Sequence, residues 1–140
     1  MPLTPFILEL MARTAYGEAS GEGYDGQRAI IHVIYNRAEQ HKFSPLEAIL
    51  HGPAFSCWNA LLEVNGKTVA NPDRIRIARA AEDDPVLVQC RALAADPGAD
   101  LTDGATNYHV IGLKPDWAAS MQCCGIIGKH VFYKDAPKVA

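Results

Sequence analysis

The chain has 140 residues and a mass of 15.2 kDa, 49% of it apolar and 21% charged, which fits one compact domain with its own core and excludes a disordered acidic tail. Thirteen basic against sixteen acidic side chains give a formal net charge of −3, and neither half is basic: residues 1–70 carry five against seven and residues 71–140 eight against nine. Binding to a nucleic-acid backbone therefore has little to work with.

In chain order, Thr4-Pro5 predicts an N-cap with proline at the first helical position. Ile7, Leu10, Met11, Thr14, Ala15 and Glu18 then recur at three and four residues, one face of a helix that Gly17 and Gly21 end or distort. Asp25 is expected to cap a second helix through Ile30, Ile31, Val33, Ile34 and Ala38, which is apolar nearly all round and so the buried central helix. Ser44-Pro45-Leu46-Glu47 is a capping box that opens a short helix to Leu50. Residues 51–70 read as a long loop with a small turn at Asn65-Gly66. Asn71-Pro72 and Asp84-Pro85 repeat the cap-plus-proline signal and predict helices near 72–82 and 85–95, the second stopped by Pro97-Gly98. Asp103-Gly104 predicts a turn, Ala105–Val110 an extended segment, and Ile126–Lys134 two short strands broken by Gly128. Alternation sets Val131 and Tyr133 on one face of the last strand and His130 and Phe132 on the other. The expected fold is α+β, mainly helical, a single domain over 1–140 with a small irregular β element.

No stretch reaches the roughly 18 uninterrupted apolar residues of a membrane span. No basic residue precedes Arg13, so no secretory signal is expected, and synthesis in the cytoplasm is. The four cysteines, Cys57, Cys90, Cys123 and Cys124, are few for a disulfide scaffold. Cys57, Cys123, His109 and His130 lack C-x-x-C, H-x-x-x-H or HExxH spacing, so neither a metal nor any other cofactor is expected.

Three segments carry candidate chemistry. In Ala15-Tyr16-Gly17-Glu18-Ala19-Ser20-Gly21-Glu22, Glu18 continues the apolar stripe of the first helix. A carboxyl facing the core keeps its proton more readily, and a glycosidase needs such a donor; at a frayed helix end the same side chain would turn to solvent. Glu22 is either a second carboxylate of the same cleft or, as acidic residues near helix N-termini favour, a structural group for the following helix. Ser56-Cys57-Trp58 has the look of a thiol-protease strip with His109 downstream as base, or of a cysteine packed inertly beside a tryptophan. Gly104 to His109, with Trp117, offers polar-tipped aromatics suited to a sugar, or ordinary loop packing.

Together these strips resemble the SleB/CwlJ-type cell wall hydrolases, a family of spore-cortex-lytic enzymes and phage or prophage endolysins. The matching residues are Arg13 to Glu22, Gly26-Gln27, Tyr35-Asn36-Arg37, Phe55-Ser56-Cys57-Trp58, Gly104-Ala105-Thr106, Tyr108-His109, Trp117, and Gly128 with His130 to Tyr133, in order across residues 8–133. The resemblance implies a lysozyme-like domain that cuts peptidoglycan glycan strands with one essential glutamate, here Glu18. It implies a sugar cleft along Phe55, Ser56, Trp58, Tyr108 and His109, and Gln27, Asn36 and Arg37 bracing the central helix beneath. Asn107 and Lys129 depart from the family pattern. The expected partner is bacterial peptidoglycan, engaged by a monomer, and the setting is that of a phage-type endolysin released through a holin-type opening. Two other readings stay open: a cysteine peptidase or amidase acting on the wall's peptide stems through Cys57 and His109, and a lysozyme-like module that binds glycan without cutting it.

Overall fold

The computed structural model describes residues 3–50, 55–59, 61–64, 66–71, 76–77 and 79–137. Helix α1 (Pro5–Ala19) starts where its cap chemistry dictates: the Ile7 amide donates to Thr4 Oγ1 at 3.2 Å, with Pro5 in the first turn. Ile7, Met11, Ala12, Thr14 and Ala15 form its buried face. Helix α2 (Gly23–His41) buries Ala29, Ile30, Ile31, Val33 and Ile34 and is the central helix, as its apolar circumference predicts. It begins two residues before Asp25, which lies in its first turn instead of capping it; Glu22 occupies the cap position without a side-chain cap bond. Helix α3 (Pro45–Leu50) opens on the expected box, Ser44 Oγ accepting the Glu47 amide at 3.2 Å while Glu47 Oε1 lies 3.4 Å from the Ser44 amide. Helix α4 (Pro85–Ala95) is capped by Asp84, which accepts from the Val86 and Leu87 amides. Each such cap contributes about 1 kcal/mol.

The expected long loop over 51–70 contains more order than composition suggests. A 3₁₀ turn spans Ser56–Trp58, and strands β1 (Leu61–Val64) and β2 (Lys67–Ala70) pair antiparallel, with Gly66 at φ +77° in the turn between them. Both strands are four residues long, too short for alternation to be read. Of the helix expected near 72–82, Arg76 and Ile77 are helical, while residues 72–75 and 78 lie outside the described residues.

A three-stranded antiparallel sheet in the order β3-β5-β4 closes the molecule: β3 (Asn107–Val110), β4 (Met121–Ile127) and β5 (His130–Asp135). The register sets Tyr108 opposite Phe132 and His109 opposite Val131, with an irregularity in β4 between Cys123 and Gly125. His130 and Phe132 are buried while Val131 and Tyr133 are partly exposed, the alternation expected of this strand. Its neighbour β4 is longer than the short strand expected from residue 126.

Helix α2 also braces the approach to the sheet. Asn36 Nδ2 donates to the Ala105 carbonyl at 2.9 Å and Arg37 Nε to the Thr106 carbonyl, while Gln27 Nε2 donates to the Ala19 carbonyl at 3.2 Å, tying down the end of α1. The core is mostly helical, built around Met11, Ile30, Ile34 and Leu87, and the small sheet adds Phe132 to it, an α+β, lysozyme-like arrangement.

Candidate active site

The buried stripe of α1 ends at Glu18, which is neither swallowed by the core nor free in solvent. Its side chain meets the floor of a cavity of about 310 Å³, whose described lining is Glu18, Ser56, Tyr108, His109, Val110, Leu113, Pro115, Trp117 and His130. The floor is held from below. The Cys57 amide donates to Glu18 Oε1 at 3.2 Å, and that amide is presented by the 3₁₀ turn at Ser56–Trp58. Buried Asn71 clamps the turn, its Nδ2 reaching the Ser56, Cys57 and Asn59 carbonyls at 3.2, 3.4 and 2.8 Å. Gly17 lets the turn come this close, since a Cβ there would stand 2.2 Å from Ile77 Cδ1 and 2.9 Å from Cys57 Sγ.

Tyr108 reaches over from β3 and hydrogen-bonds Glu18; burial first, then the charge of Glu18, holds its phenol well above the ordinary value of 10.0. The hydroxyl therefore remains a donor at physiological pH. Behind it, the Arg37 guanidinium lies 4.8 Å from the centroid of Phe55, and its Nη1 is buried without a hydrogen-bond partner among the described residues. Burial lowers the Arg37 pKa, opposed by the charges of Tyr108 and Glu18, so one positive charge sits beneath the carboxylate.

The wall is aromatic. The rings of His109 and Tyr133 stack at 5.2 Å, and Trp117 stands edge-on to both at 5.8 and 5.4 Å. His109 Nδ1 lies 2.8 Å from the Val110 carbonyl and Nε2 lies 2.9 Å from the Tyr133 hydroxyl. A carbonyl only accepts, so neutral His109 carries its proton on Nδ1 and takes the Tyr133 hydroxyl at Nε2. A second hollow of about 410 Å³ continues past His109, Leu113 and Pro115 toward Lys114, Asp116 and Tyr133.

A family profile described as Cell Wall Hydrolase matches residues 21–133. The spore cortex-lytic enzyme of Halalkalibacterium halodurans is 33% identical over 132 residues, a match that takes in 89% of this chain and 34% of that protein. The chain thus spans about a third of the length of that curated relative. The chain belongs to the cell wall hydrolase family. Among solved structures, the catalytic domain of the germination-specific lytic transglycosylase SleB from Bacillus anthracis superposes with a TM-score of 0.71 at 24% identity, covering 96% of this chain and 100% of that one. The catalytic domain of the Bacillus cereus SleB protein gives 0.68 at 26% identity, covering 95% and 93%.

In this member of the family, the cavity gathers five of the residues singled out in the sequence: Glu18, Ser56, Tyr108, His109 and Trp117. Phe55 and Trp58 lie outside its described lining. Phe55 is 2% exposed and packs under Arg37 and Tyr108, and Trp58 turns its indole into the helical side, Nε1 donating to Thr14 Oγ1 at 2.8 Å; both shape the floor from beneath. Glu22 lies outside the described lining of this cavity; its Oε1 accepts the Lys129 amide at 2.8 Å and lies 3.1 Å from His130 Nδ1. It ties the junction of α1 and α2 to the sheet and makes no side-chain cap bond. Of the thiol–imidazole pair, Cys57 is buried with Sγ 3.9 Å from the Thr14 carbonyl, and the His109 nitrogens lie against the Val110 carbonyl and the Tyr133 hydroxyl. His130 also lines the cavity. Trp117 was visible as a sugar-suited aromatic, whereas His130 was visible as a family-matching residue on an alternating strand and not as a cleft residue. No group of three or more metal-ligating side chains converges among the described residues, and none of their helices is long and apolar enough to cross a membrane.

Proposed function

We propose that this chain cuts the glycan strands of peptidoglycan between N-acetylmuramic acid and N-acetylglucosamine, acting as a lytic transglycosylase in which Glu18 is the single acid and base. The observation that carries the reading is the placement of one carboxyl, anchored through Oε1 by a backbone amide, on the floor of a cavity walled by Tyr108, His109, Trp117 and His130. Aromatic rings with polar edges suit the apolar face and hydroxyl rim of a pyranose.

In this mechanism Glu18 Oε2 gives its proton to the glycosidic oxygen as the bond to the muramic C1 breaks. The sugar passes through an oxocarbenium-like state that its own N-acetyl group stabilises. The carboxylate then takes the proton of the muramic C6 hydroxyl as that oxygen bonds to C1, closing a 1,6-anhydro ring and restoring the acid. Arg37 beneath the floor and the Tyr108 hydroxyl support the negative charge present between the two transfers. Glycosidases that employ water across the ring use a second carboxylate to activate it, and Glu18 is the one carboxylate in the described lining, which favours internal attack.

Mass spectrometry of purified sacculi digested by the protein tests the proposal. Anhydromuropeptides are expected; reducing muropeptides would replace it with hydrolysis, and wall binding with no released fragments would make the chain a glycan-binding module. We extend the proposal to a phage-type endolysin that acts after holin-type release, a reading that rests on the family resemblance. Cytoplasmic expression should then leave cells intact until their membrane is permeabilised, and lysis without permeabilisation would overturn this part.

A further inference from the structure

One side chain of the cavity is held with more care than a wall residue needs. His130 opens β5 directly after the Gly128-Lys129 turn and is buried along with its partner, their side chains only 8% and 10% exposed. Glu22 Oε1 lies 3.1 Å from His130 Nδ1 and accepts the Lys129 amide at 2.8 Å. Gly128, at φ +58°, leaves room for that carboxylate, since a Cβ there would lie 3.2 Å from it. On its other side the ring meets Tyr108 edge-on at 5.0 Å.

The Glu22 carboxylate, 3.1 Å from Nδ1, only accepts, so it favours the tautomer that carries the proton on Nδ1, and the neutral ring then has a lone pair on Nε2. Nε2 has no hydrogen-bond partner among the described residues, yet it is not sealed in the core, and the ring lines the cavity beside Glu18. His109, the other imidazole of the wall, has both nitrogens engaged. Sugar hydroxyls and N-acetyl N–H groups are donors in search of such an acceptor.

We propose that His130 is a second substrate-contacting group of this site, its Nε2 accepting a hydrogen bond from an O–H or N–H of the bound glycan, with Glu22 the positioning residue that holds it in that tautomer. The assignment rests on the glycan reading of the cavity. The groups facing the ring are Glu22 from the α1–α2 junction, Glu18 from α1, and Tyr108 and His109 from β3. Burial holds His130 below the ordinary imidazole value of 6.5, with Glu22 and Glu18 opposing and His109 adding to the fall. The acceptor is therefore present at neutral pH and is lost on acidification, when Nε2 becomes a donor.

Two substitutions separate contact from scaffold. A glutamine at 130 reaches the place of Nε2 and can present its carbonyl there, whereas an asparagine reaches only the place of Nδ1 and keeps the tie to Glu22. Chitotetraose binding, followed by calorimetry, should weaken about tenfold in His130→Asn and no more than about threefold in His130→Gln. Both variants should melt within a few degrees of the parent. Binding by the parent should weaken on acidification from neutral pH, and His130→Gln should lose that dependence. The proposal is overturned if His130→Asn binds like the parent, if both variants lose affinity equally while folded, or if the parent does not bind chitotetraose. Should His130→Asn fail to fold, the pH dependence of His130→Gln decides, and an unchanged acid loss overturns the assignment. Chitotetraose binding without fragments from sacculi would remove the glycosidase reading and leave this contact standing.

Discussion

At the scale of the residue, the site turns on how one carboxyl is held. Glu18 accepts a backbone amide at one oxygen and meets a phenol that remains protonated, so its position is fixed by donors that cannot themselves titrate near neutrality. Substituting Glu18→Gln preserves the shape and the Cys57 contact but removes the transferable proton. The release of soluble fragments from sacculi should fall at least about 10²-fold, the scale of general acid–base catalysis, with the melting temperature little changed. Activity equal to the parent would remove Glu18 from the mechanism. Cys90 is buried and its thiol is pushed up to about 12, so it offers no thiolate, and Cys57 is 5% exposed.

At the scale of the element, the contact between α1 and the 3₁₀ turn at Ser56–Trp58 sets the height of the floor. Gly17 is where the two surfaces touch, and Gly17→Ala would drive a methyl into Ile77 and Cys57. The expected cost is about 1–3 kcal/mol of stability from overpacking, with a loss of activity as the Cys57 amide is pushed off Glu18; urea unfolding and sacculus clearing measure the two effects. A variant as stable and active as the parent would show that the turn does not position the acid. The elements differ in how openly the sequence announces them. The starts of α1, α3 and α4 were legible because Thr4, Ser44 and Asp84 act on amides two or three residues away. The β1–β2 hairpin was not, since four-residue strands carry no period. Glu18 was legible as the last step of a helical stripe within a family motif. The positions of Phe55 and Trp58 beneath the floor, and that of His130 in the cavity, depend on which way a short turn and a strand face once the sheet has docked, which no local pattern encodes.

At the scale of the whole molecule, charge decides two responses. With a net charge of −3, the protein has no long-range attraction to an anionic wall, so sacculus clearing should change little between low ionic strength and about 0.15 M salt; a steep fall would reveal a cationic surface patch at work. Acid should act on stability. Hydrogen bonding from Arg91 holds Glu9 below the usual carboxylate range and hydrogen bonding from Tyr16 does the same for Asp84, while at Asp100 burial pushes up and is outweighed by Thr102 and Asn36. These groups bind protons less tightly folded than unfolded, so their contribution is complete above the ordinary carboxylate values and is lost as pH falls through the lowered ones. His130, held below 6.5, has the same sign nearer neutrality: the unfolded chain takes up its proton first, so stability starts to fall as pH drops below about 6.5. The urea midpoint should therefore rise from about pH 2 to a plateau near pH 7, and a flat profile would contradict these assignments.

Helix α1 ends between two acids only four positions apart, the second of which sits at the cap position of α2, and the break sends them to opposite jobs. Glu18 stays with the helical floor, while Glu22 grips the turn that starts β5. The jaws of the groove are thereby mounted on one beam, as in a caliper, and the gap between them is gauged by a few residues of continuous chain. A glycan entering that gap meets a preset width, and any opening of the wall must twist the very segment that carries the reacting acid.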